Sequence, residues 1–199
     1  MPRKLLLATN NPGKAAEYRA LLAGLELELI TLHEAGITSV VAETGQTMEE
    51  NARLKATAYA AESGMLALAD DSGLEVDALG GEPGHLSARY AGENASDADR
   101  VNYLLARLAG VPREGRSARF RCFIAVSTPA GVTAVSEGEC RGVIAFEARG
   151  GHGFGYDPVF YLPELDKTMA ELPPREKDRI SHRARAARGV PGLLLAVGG

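Results

Sequence analysis

The sequence has few cysteines, no long apolar run and no block of basic residues. Cys122 and Cys140 are the only cysteines among 199 residues, which excludes a disulfide framework and a zinc pattern. Both lie in apolar, strand-like contexts, so we expect buried free thiols. No stretch approaches a membrane span, and three opening leucines are too few for a signal peptide, so we expect a cytoplasmic protein.

The charge distribution limits the partners of the protein. The formal net charge is -4 at pH 7, and no run of like charge exceeds three residues. A nucleic-acid-binding protein would favour a basic face, so this class is the least favoured. A nucleotide is still compatible, because a few local cations can hold phosphates in an acidic protein. No internal repeat or low-complexity linker occurs, and the length and composition of residues 1–199 suit one large domain or two small lobes that share a core.

Strand and helix patterns alternate in the first half of the chain. The first 31 residues predict a strand ending at Thr9, a helix closed by Gly24 and a second strand. A long helical pattern follows, in which Thr47 and Glu50 have the spacing of a capping box and Gly64 is the stop signal. MLALAD then predicts a buried strand.

The second half of the chain adds a long hairpin. A helix is predicted after Ser96, followed by two long strands around the turn TPAG. A glycine-rich loop then leads into a short strand, and two short helices follow, the second capped by Ser181. Because βαβ units are mixed with a hairpin, we predict an α/β fold with a mixed sheet flanked by helices.

Two adjacent acids, Asp70 and Asp71, follow the apolar strand LALA. Strand alternation directs them to opposite sides, and we expect Gly73 to turn the chain sharply after them. Carboxylates at the end of a strand suit Mg²⁺, a hard cation that shares oxygen ligands with substrate phosphates. The alternative is that one acid caps a turn while the other contacts solvent.

The segment TNNPGK lies where the first strand gives way to a helix. A helix N-terminus offers unpaired N–H groups that suit phosphate, and Lys14 adds a full charge. Gly13 permits close approach of the backbone, while Asn10 and Asn11 can donate hydrogen bonds. The alternative is an ordinary Asn-Pro-Gly turn with a solvated lysine. The P-loop pattern is absent.

The long helix carries a polar stripe. Asn51 and Lys55 are four residues apart and share one face, and Glu43 precedes them. The stripe could line a cleft, or it could be a solvated face with a routine lysine. Three residues mark a neighbouring apolar stripe that we expect to face the core: Leu54, Ala58 and Ala61.

Two late segments carry groups that could contact a base. In GFGYDP, Phe154 can offer a flat face and Asp157 can accept hydrogen bonds from ring N–H groups. The alternative is a hairpin loop whose aromatic residues pack inward. In EKDRISHR, the candidates are Lys177, His182 and Arg183, although a histidine at a helix start is more often a cap or a surface residue.

Together these segments resemble one known family. TNNPGK, ETG…ENARLKA, ADDSGLEVDALGGEPG…SARYAG, FGYDPVF and SHR occur in the same order as in the noncanonical purine nucleoside triphosphate pyrophosphatases, the inosine/xanthosine triphosphatases. The resemblance spans Leu5 to Arg183. It implies a cytosolic homodimer with a long, twisted mixed sheet and a central cleft between two lobes. It also implies Mg²⁺-dependent hydrolysis of ITP, dITP and XTP to the monophosphate and pyrophosphate.

The resemblance also implies roles for individual residues. It places Glu43 and Asp71 at the metal and makes Asp71 the proton acceptor. Because strand alternation directs Asp70 to the other side, we expect Asp70 to have a supporting role. The substrate-binding residues it implies are Thr9, Asn10, Asn11, Pro12, Gly13, Lys14, Lys55, Ser72, Phe154, Gly155, Tyr156, Asp157, Lys177, His182 and Arg183. Donors from His182, Arg183 or backbone N–H groups would fit the 6-keto oxygen of hypoxanthine and xanthine and would be mismatched against adenine.

Two places in the sequence depart from the family pattern. His85 and Leu86 stand where we expect apolar or aromatic residues, and Pro191 should break or restart a C-terminal helix.

A nucleotide-binding regulator without catalysis would need the phosphate and base groups but no acidic metal site. A kinase or general phosphatase is disfavoured, because the P-loop and an N-terminal D-x-D pattern are both absent.

Overall fold

The computed structural model describes residues 2–198, in which seven strands form a sheet with the order β2-β1-β3-β4-β5-β6-β7. The strands are β1 (Arg3–Leu7), β2 (Leu27–Thr31), β3 (Leu66–Val76), β4 (Ser117–Ser127), β5 (Thr133–Ile144), β6 (Phe160–Leu162) and β7 (Lys167–Thr168). β1 pairs in parallel with β2 and β3, and β6 pairs antiparallel with β5 and β7, which confirms the predicted mixed sheet.

Six α-helices lie within the described residues. They are α1 (Pro12–Leu21), α2 (Met48–Ser63), α3 (Asp97–Arg107), α4 (Pro174–Ile180), α5 (His182–Ala187) and α6 (Val190–Ala196). Within residues 2–198 there is no helix with the length and apolar character needed to span a membrane. The chain forms two compact units: the first unit holds residues 2–71, 122–138 and 183–198, and the second unit holds residues 72–121 and 139–182.

The first unit has two hydrophobic cores because consecutive residues of β1 point to opposite faces. Leu5 and Leu7 belong to a core with residues of α1 and α6, whereas Leu6 belongs to a core with residues of α2. All three leucines are fully buried. The buried, continuously apolar β1 is therefore typical of a parallel strand that is covered on both faces.

The apolar stripe predicted on α2 is wrong. The buried core residues of α2 are Met48, Ala52, Ala56, Tyr59 and Ala60. Leu54 is 42% exposed, Ala61 is exposed and Ala58 is half-buried. Helical periodicity alone could not distinguish the two stripes.

The ends of the helices follow local chemistry. Thr47 begins α2 by accepting a hydrogen bond from Glu50 N, and Gly64 ends it in the left-handed region. The reciprocal bond of the capping box is not made to Thr47, because Glu50 Oε2 accepts from Gln46 N at 2.7 Å. The prediction that Gly24 closes α1 is wrong, since that helix ends at Leu21.

Ser96 precedes α3 and forms a full capping box with Asp99. The prediction that a helix begins after Ser96 is therefore confirmed. The hairpin of β4 and β5 and the short strand β6 are also found where they were predicted. α6 begins at Val190 with Pro191 in its first turn, which confirms that the proline restarts a helix. Cys122 and Cys140 are buried free thiols, as expected.

The second unit packs α3 over its strands. Val101, Leu104 and Leu108 join Leu74 and Phe160 in one buried core. β3 continues through Gly73 to Val76, so the sharp turn predicted at Gly73 is wrong. A Cβ at Gly73 would lie 2.1 Å from the carbonyl oxygen of Gly84, which explains the glycine by a close backbone approach instead.

Candidate active site

The first unit contains a buried cluster of charges around the two acids of β3. Asp70 and Asp71 are 2% and 6% exposed. Asp70 Oδ2 lies 3.0 Å from Lys14 Nζ, whereas Asp71 Oδ1 lies 3.6 Å from Lys55 Nζ. Neighbouring residues of a strand point to opposite faces, so two adjacent carboxylates acquire different partners.

Asp70 is held by cations from two helices. Besides Lys14 of α1, Arg183 of α5 donates to Asp70 Oδ2 at 3.3 Å. Arg183 is 1% exposed and also donates to Glu17 Oε2 at 2.6 Å. Burial alone would raise the pKa of Asp70, but the charges of Lys14 and Arg183 outweigh it and hold that pKa well below its ordinary value. Asp70 is therefore a structural anion that joins α1 and α5.

The surroundings of Asp71 are different. Asn51 donates to Asp71 Oδ2 at 3.3 Å, and Lys55 contacts Glu43 Oε1 at 2.6 Å as well as Asp71. Burial raises the pKa of Asp71, the charges of Lys55 and Lys14 oppose this, and the nearby Glu43 and Asp70 add to it. The net result is a raised pKa, because burial together with the two neighbouring carboxylates outweighs the attraction of the two lysines.

Lys55 carries the complementary shift. Burial would lower the pKa of its ammonium group, but Asp71, Asp70 and Glu43 outweigh burial and raise it. Lys55 is therefore cationic at neutral pH. The predicted sharing of one helix face by Asn51 and Lys55 brings both to Asp71, and Asn51 also accepts from Gly45 N at 2.8 Å, which fixes the segment after Glu43.

The segment TNNPGK forms the N-terminus of α1, as predicted. Asn11 Oδ1 accepts from Lys14 N at 3.1 Å and caps the helix, while Thr9 Oγ1 accepts from Asn11 N at 3.1 Å. Pro12 is the first helical residue. The backbone is thus arranged as a capped helix start, and the side chain of Lys14 points to Asp70.

The carboxylates of the first unit fit a hard divalent cation whose remaining coordination positions are filled by a bound substrate and water. No group of three or more His, Cys, Asp or Glu residues within 2–198 could hold a metal ion. Two carboxylates, Glu43 and Asp71, nevertheless converge on Lys55. Mg²⁺ is usually held by one or two carboxylates together with substrate phosphates and water, and the pair Glu43 and Asp71 fits this donor chemistry.

The second unit contains a separate cluster around the glycine-rich loop. Lys177 Nζ lies 2.6 Å from Asp157 Oδ2, and both residues are buried. The same oxygen accepts from Phe154 N at 3.0 Å, and Lys177 Nζ lies 4.8 Å from the centre of the Phe154 ring. Asp157 therefore holds the loop and the lysine together, a role that the sequence did not reveal.

Other predicted base-side residues are distributed between the units. His182 is 5% exposed and its ring stacks on Phe120, with 4.7 Å between ring centres. Tyr156 is buried and donates to the carbonyl of Ser87 at 2.9 Å. Ser72 follows the acid pair in β3 and is half-buried. Arg183, predicted among the base contacts, lies in the first unit with Asp70 and Glu17.

The departure from the family pattern at residues 85 and 86 lies in the second unit. His85 is half-buried and Leu86 is 41% exposed, both in a 3-10 helix that runs from Gly84 to Arg89. The sequence reasoning missed three residues that contact candidate site residues: Glu17 at Arg183, Phe120 at His182, and Asp97, which accepts a hydrogen bond from Gly155 N at 2.7 Å. Glu17 could have been noticed three residues after Lys14 on α1, whereas Phe120 and Asp97 carry no local signal.

Comparison with known proteins gives the family. The family model described as the Ham1 family matches residues 5–191. The chain belongs to the Ham1 family. It is 54% identical over 184 residues to a dITP/XTP pyrophosphatase of Geobacillus kaustophilus, covering 92% of this chain and 90% of the relative.

Further Ham1 relatives agree over nearly the whole chain. The dITP/XTP pyrophosphatase of Bacillus subtilis is 47% identical over 194 residues, covering 98% of both chains. A solved Ham1 protein of Coxiella burnetii has 42% identity and a TM-score of 0.87, covering 97% of this chain and 98% of that one. The resemblance seen in the sequence is therefore confirmed, and so is the mixed sheet with flanking helices.

Proposed function

We propose that this protein hydrolyses dITP, ITP and XTP to the nucleoside monophosphate and pyrophosphate. The observation that carries the proposal is the close arrangement of Glu43, Lys55 and the buried Asp71 in a chain of the Ham1 family. Curated relatives about half identical to it over nearly their whole length bear the name dITP/XTP pyrophosphatase. Such hydrolysis would remove deaminated purine nucleotides.

Glu43 and Asp71 are proposed to hold Mg²⁺. The support is the chemistry of the set: two carboxylates in one place, with the pKa of Asp71 raised by burial and by neighbouring carboxylates. When bound, the metal would offset phosphate charge and polarise a phosphorus–oxygen bond. The remaining oxygen ligands would come from the triphosphate and water.

The triphosphate is proposed to bind at residues 9–14 and Lys55. The N-terminus of α1 presents backbone N–H groups, and Lys14 and Lys55 supply positive charge. The residues proposed to contact the phosphates are Thr9, Asn10, Asn11, Pro12, Gly13, Lys14, Lys55 and Ser72. These charges would stabilise the pyrophosphate leaving group as the anhydride bond breaks.

Asp71 is the proposed proton acceptor. In the reaction, a water oxygen forms a bond to phosphorus, the phosphorus–oxygen bond to pyrophosphate breaks, and a water proton passes to a carboxylate. Asn51 donates a hydrogen bond to Asp71 Oδ2 at 3.3 Å and so orients the carboxylate that would take the proton. Asp70 is unsuited to the role because Lys14 and Arg183 stabilise its ionised form.

The base is proposed to bind at the glycine-rich loop. Phe154 offers a ring face, and Lys177 and His182 can donate hydrogen bonds to a 6-keto oxygen. Gly155, Tyr156 and Asp157 are proposed to shape this loop, and a contact from Arg183 to the base stays a prediction. A keto oxygen would accept these donors, whereas the amino group of adenine would meet them as another donor.

Two further expectations belong to the same proposal. A homodimer is implied by the resemblance in the sequence, and so is a location in the cytoplasm. Size-exclusion chromatography with light scattering would test the first, with an elution mass of two chains expected and a mass of one chain against it.

A nucleotide panel tests the proposed function. The purified protein is incubated with dITP, ITP, XTP, GTP and ATP, with and without Mg²⁺, and pyrophosphate release is measured. We expect rapid release from dITP, ITP and XTP only when Mg²⁺ is present. Comparable turnover of ATP would overturn the proposed selectivity, and tight nucleotide binding without release would identify a binding protein instead.

A further inference from the structure

The loop at residues 153–157 is rich in glycine and is held by contacts both from within it and from outside it. Gly153 and Gly155 both have positive φ, at 76° and 63°. Asp157 Oδ2 binds the backbone N–H of Phe154 from within the loop. Glycine adopts positive φ readily, but its large conformational freedom makes any single loop conformation entropically more costly to hold. A loop that presents Phe154 at a defined position therefore needs contacts from outside itself.

One such contact comes from the start of α3. Asp97 Oδ2 accepts a hydrogen bond from Gly155 N at 2.7 Å, across 58 residues of sequence. This bond joins a carboxylate to the middle of the loop, directly after Phe154. Hydrogen bonds with an ionised acceptor are shorter and about twice as strong as neutral ones, so this contact is well suited to fix the loop.

Asp97 is itself held in place. Arg100, one helical turn later, forms an ion pair with Asp97 Oδ1 and also donates to the carbonyls of Ala88 at 2.9 Å and Ala95 at 2.6 Å. The guanidinium thus ties the carboxylate to two neighbouring backbone segments. Asp97 is therefore oriented by Arg100 rather than left to sample solvent, although its side chain is 47% exposed.

We propose that Asp97 is a positioning residue for base recognition: its carboxylate sets the place of Gly155 and hence of the Phe154 ring. The proposal rests on the proposed function, because it assumes that the glycine-rich loop binds the base. Asp97 contacts the loop backbone and is not assigned any contact with the substrate. Its loss should weaken interactions with the base while leaving interactions with the phosphates unchanged.

Asp99 provides a matched control on the same helical turn. Its carboxylate accepts from the backbone N–H of Ser96 at 2.9 Å and completes the capping box of α3. Within residues 2–198, the hydrogen bonds of Asp99 are made with Ser96 and not with the loop at residues 153–157. Asp97→Ala and Asp99→Ala both remove an acid from the first turn of α3, so they share any general effect on this helix.

The test compares Asp97→Ala, Asp97→Asn and Asp99→Ala with the wild type. For Asp97→Ala we expect KM for dITP to rise about tenfold, as loss of one charge-assisted hydrogen bond would give, with kcat less affected. The ratio of kcat/KM for dITP to that for dATP should fall. The inhibition constant of inorganic pyrophosphate should stay unchanged, because pyrophosphate carries no base.

The other variants sharpen the outcome. Asp97→Asn keeps an acceptor for Gly155 N, so its KM for dITP should rise by less than that of Asp97→Ala. If Asp97→Ala does not fold, the KM of Asp97→Asn provides the test instead. Asp99→Ala should lower the melting temperature without changing KM. Equal KM values in Asp97→Ala and Asp99→Ala would overturn the inference alone. A wild type that releases no pyrophosphate from dITP would overturn the proposed function and this inference with it.

Discussion

The ammonium group of Lys14 and the carboxylate of Asp70 form a buried ion pair, with 3.0 Å between Nζ and Oδ2. The next residue, Asp71, faces Lys55 and the carboxylate of Glu43 instead. One acid is therefore strongly stabilised in its ionised form, and its neighbour is destabilised in that form. This contrast separates a structural role for Asp70 from a chemical role for Asp71.

Replacement of Asp70 should destabilise the fold. Asp70→Asn keeps the shape of the side chain but leaves the buried guanidinium of Arg183 and the ammonium of Lys14 without their shared anion. Breaking a buried ion pair from one side typically costs about 3–5 kcal/mol, and we expect a loss of this order in the free energy of unfolding. Urea unfolding at pH 7 measures it, and an unchanged midpoint would contradict the structural role.

Replacement of Asp71 should have opposite effects on stability and on activity. Because burial and neighbouring carboxylates raise the pKa of Asp71, its charged form is disfavoured in the fold, and Asp71→Asn should raise the melting temperature in metal-free buffer. Loss of a general base should lower kcat by about 10²-fold or more. A variant that is both active within a few-fold and no more stable would contradict the assigned role.

The two acids also predict different pH dependences of stability, measured in EDTA to exclude metal. The pKa of Asp70 lies below its ordinary value of 3.8, so its stabilisation is complete above that value and is lost as the pH falls further towards the folded-state pKa. The pKa of Asp71 is raised, so the cost of its charge is relieved as the pH falls through that raised value.

Urea unfolding of the wild type and both asparagine variants between pH 7 and pH 4 would check these signs. The deficit of Asp70→Asn should persist across the range, because Asp70 stays ionised in the folded wild type. The gain in free energy of unfolding of Asp71→Asn over the wild type should shrink as the pH approaches 4. A deficit of Asp70→Asn that vanishes well above pH 4 would contradict the depressed pKa.

The close approach at Gly73 gives a prediction about stability alone. Gly73→Ala would place a methyl group 2.1 Å from the carbonyl oxygen of Gly84, so β3 or the facing backbone must shift. We expect a loss of about 1–3 kcal/mol in the free energy of unfolding, typical of overpacking. Gly192→Ala is the control, because it lies in α6 with open space around it and should stabilise by up to about 1 kcal/mol.

Local signals explain how much of the fold could be predicted from the sequence. Ser96 and Thr47 cap the helices that they were expected to begin, and the apolar run of β1 is a buried parallel strand. These features depend on neighbouring residues. The prediction of a turn at Gly73 was wrong. A glycine is needed there because the backbone of Gly84, which is distant in the local pattern, fills the space that a side chain would occupy.

The candidate site could be predicted as a set of residues but not as a set of contacts. Asp70 meets Arg183 across 113 residues, and Arg183 meets Glu17 across 166. No spacing in the chain encodes such pairs. Likewise, the periodicity of α2 defined apolar stripes but could not choose between Leu54 and the alanines that face the core. Tertiary packing supplies that choice.

The products formed from dITP test the central claim most directly. Phosphorus NMR of a reaction containing the wild-type protein, dITP and Mg²⁺ distinguishes cleavage that releases pyrophosphate from cleavage that releases orthophosphate. Asp71→Asn under the same conditions controls for contaminating phosphatases. The account predicts dIMP and pyrophosphate in equal amounts with the wild type and almost none with the variant. Formation of dIDP and orthophosphate, or equal rates in both proteins, would contradict it.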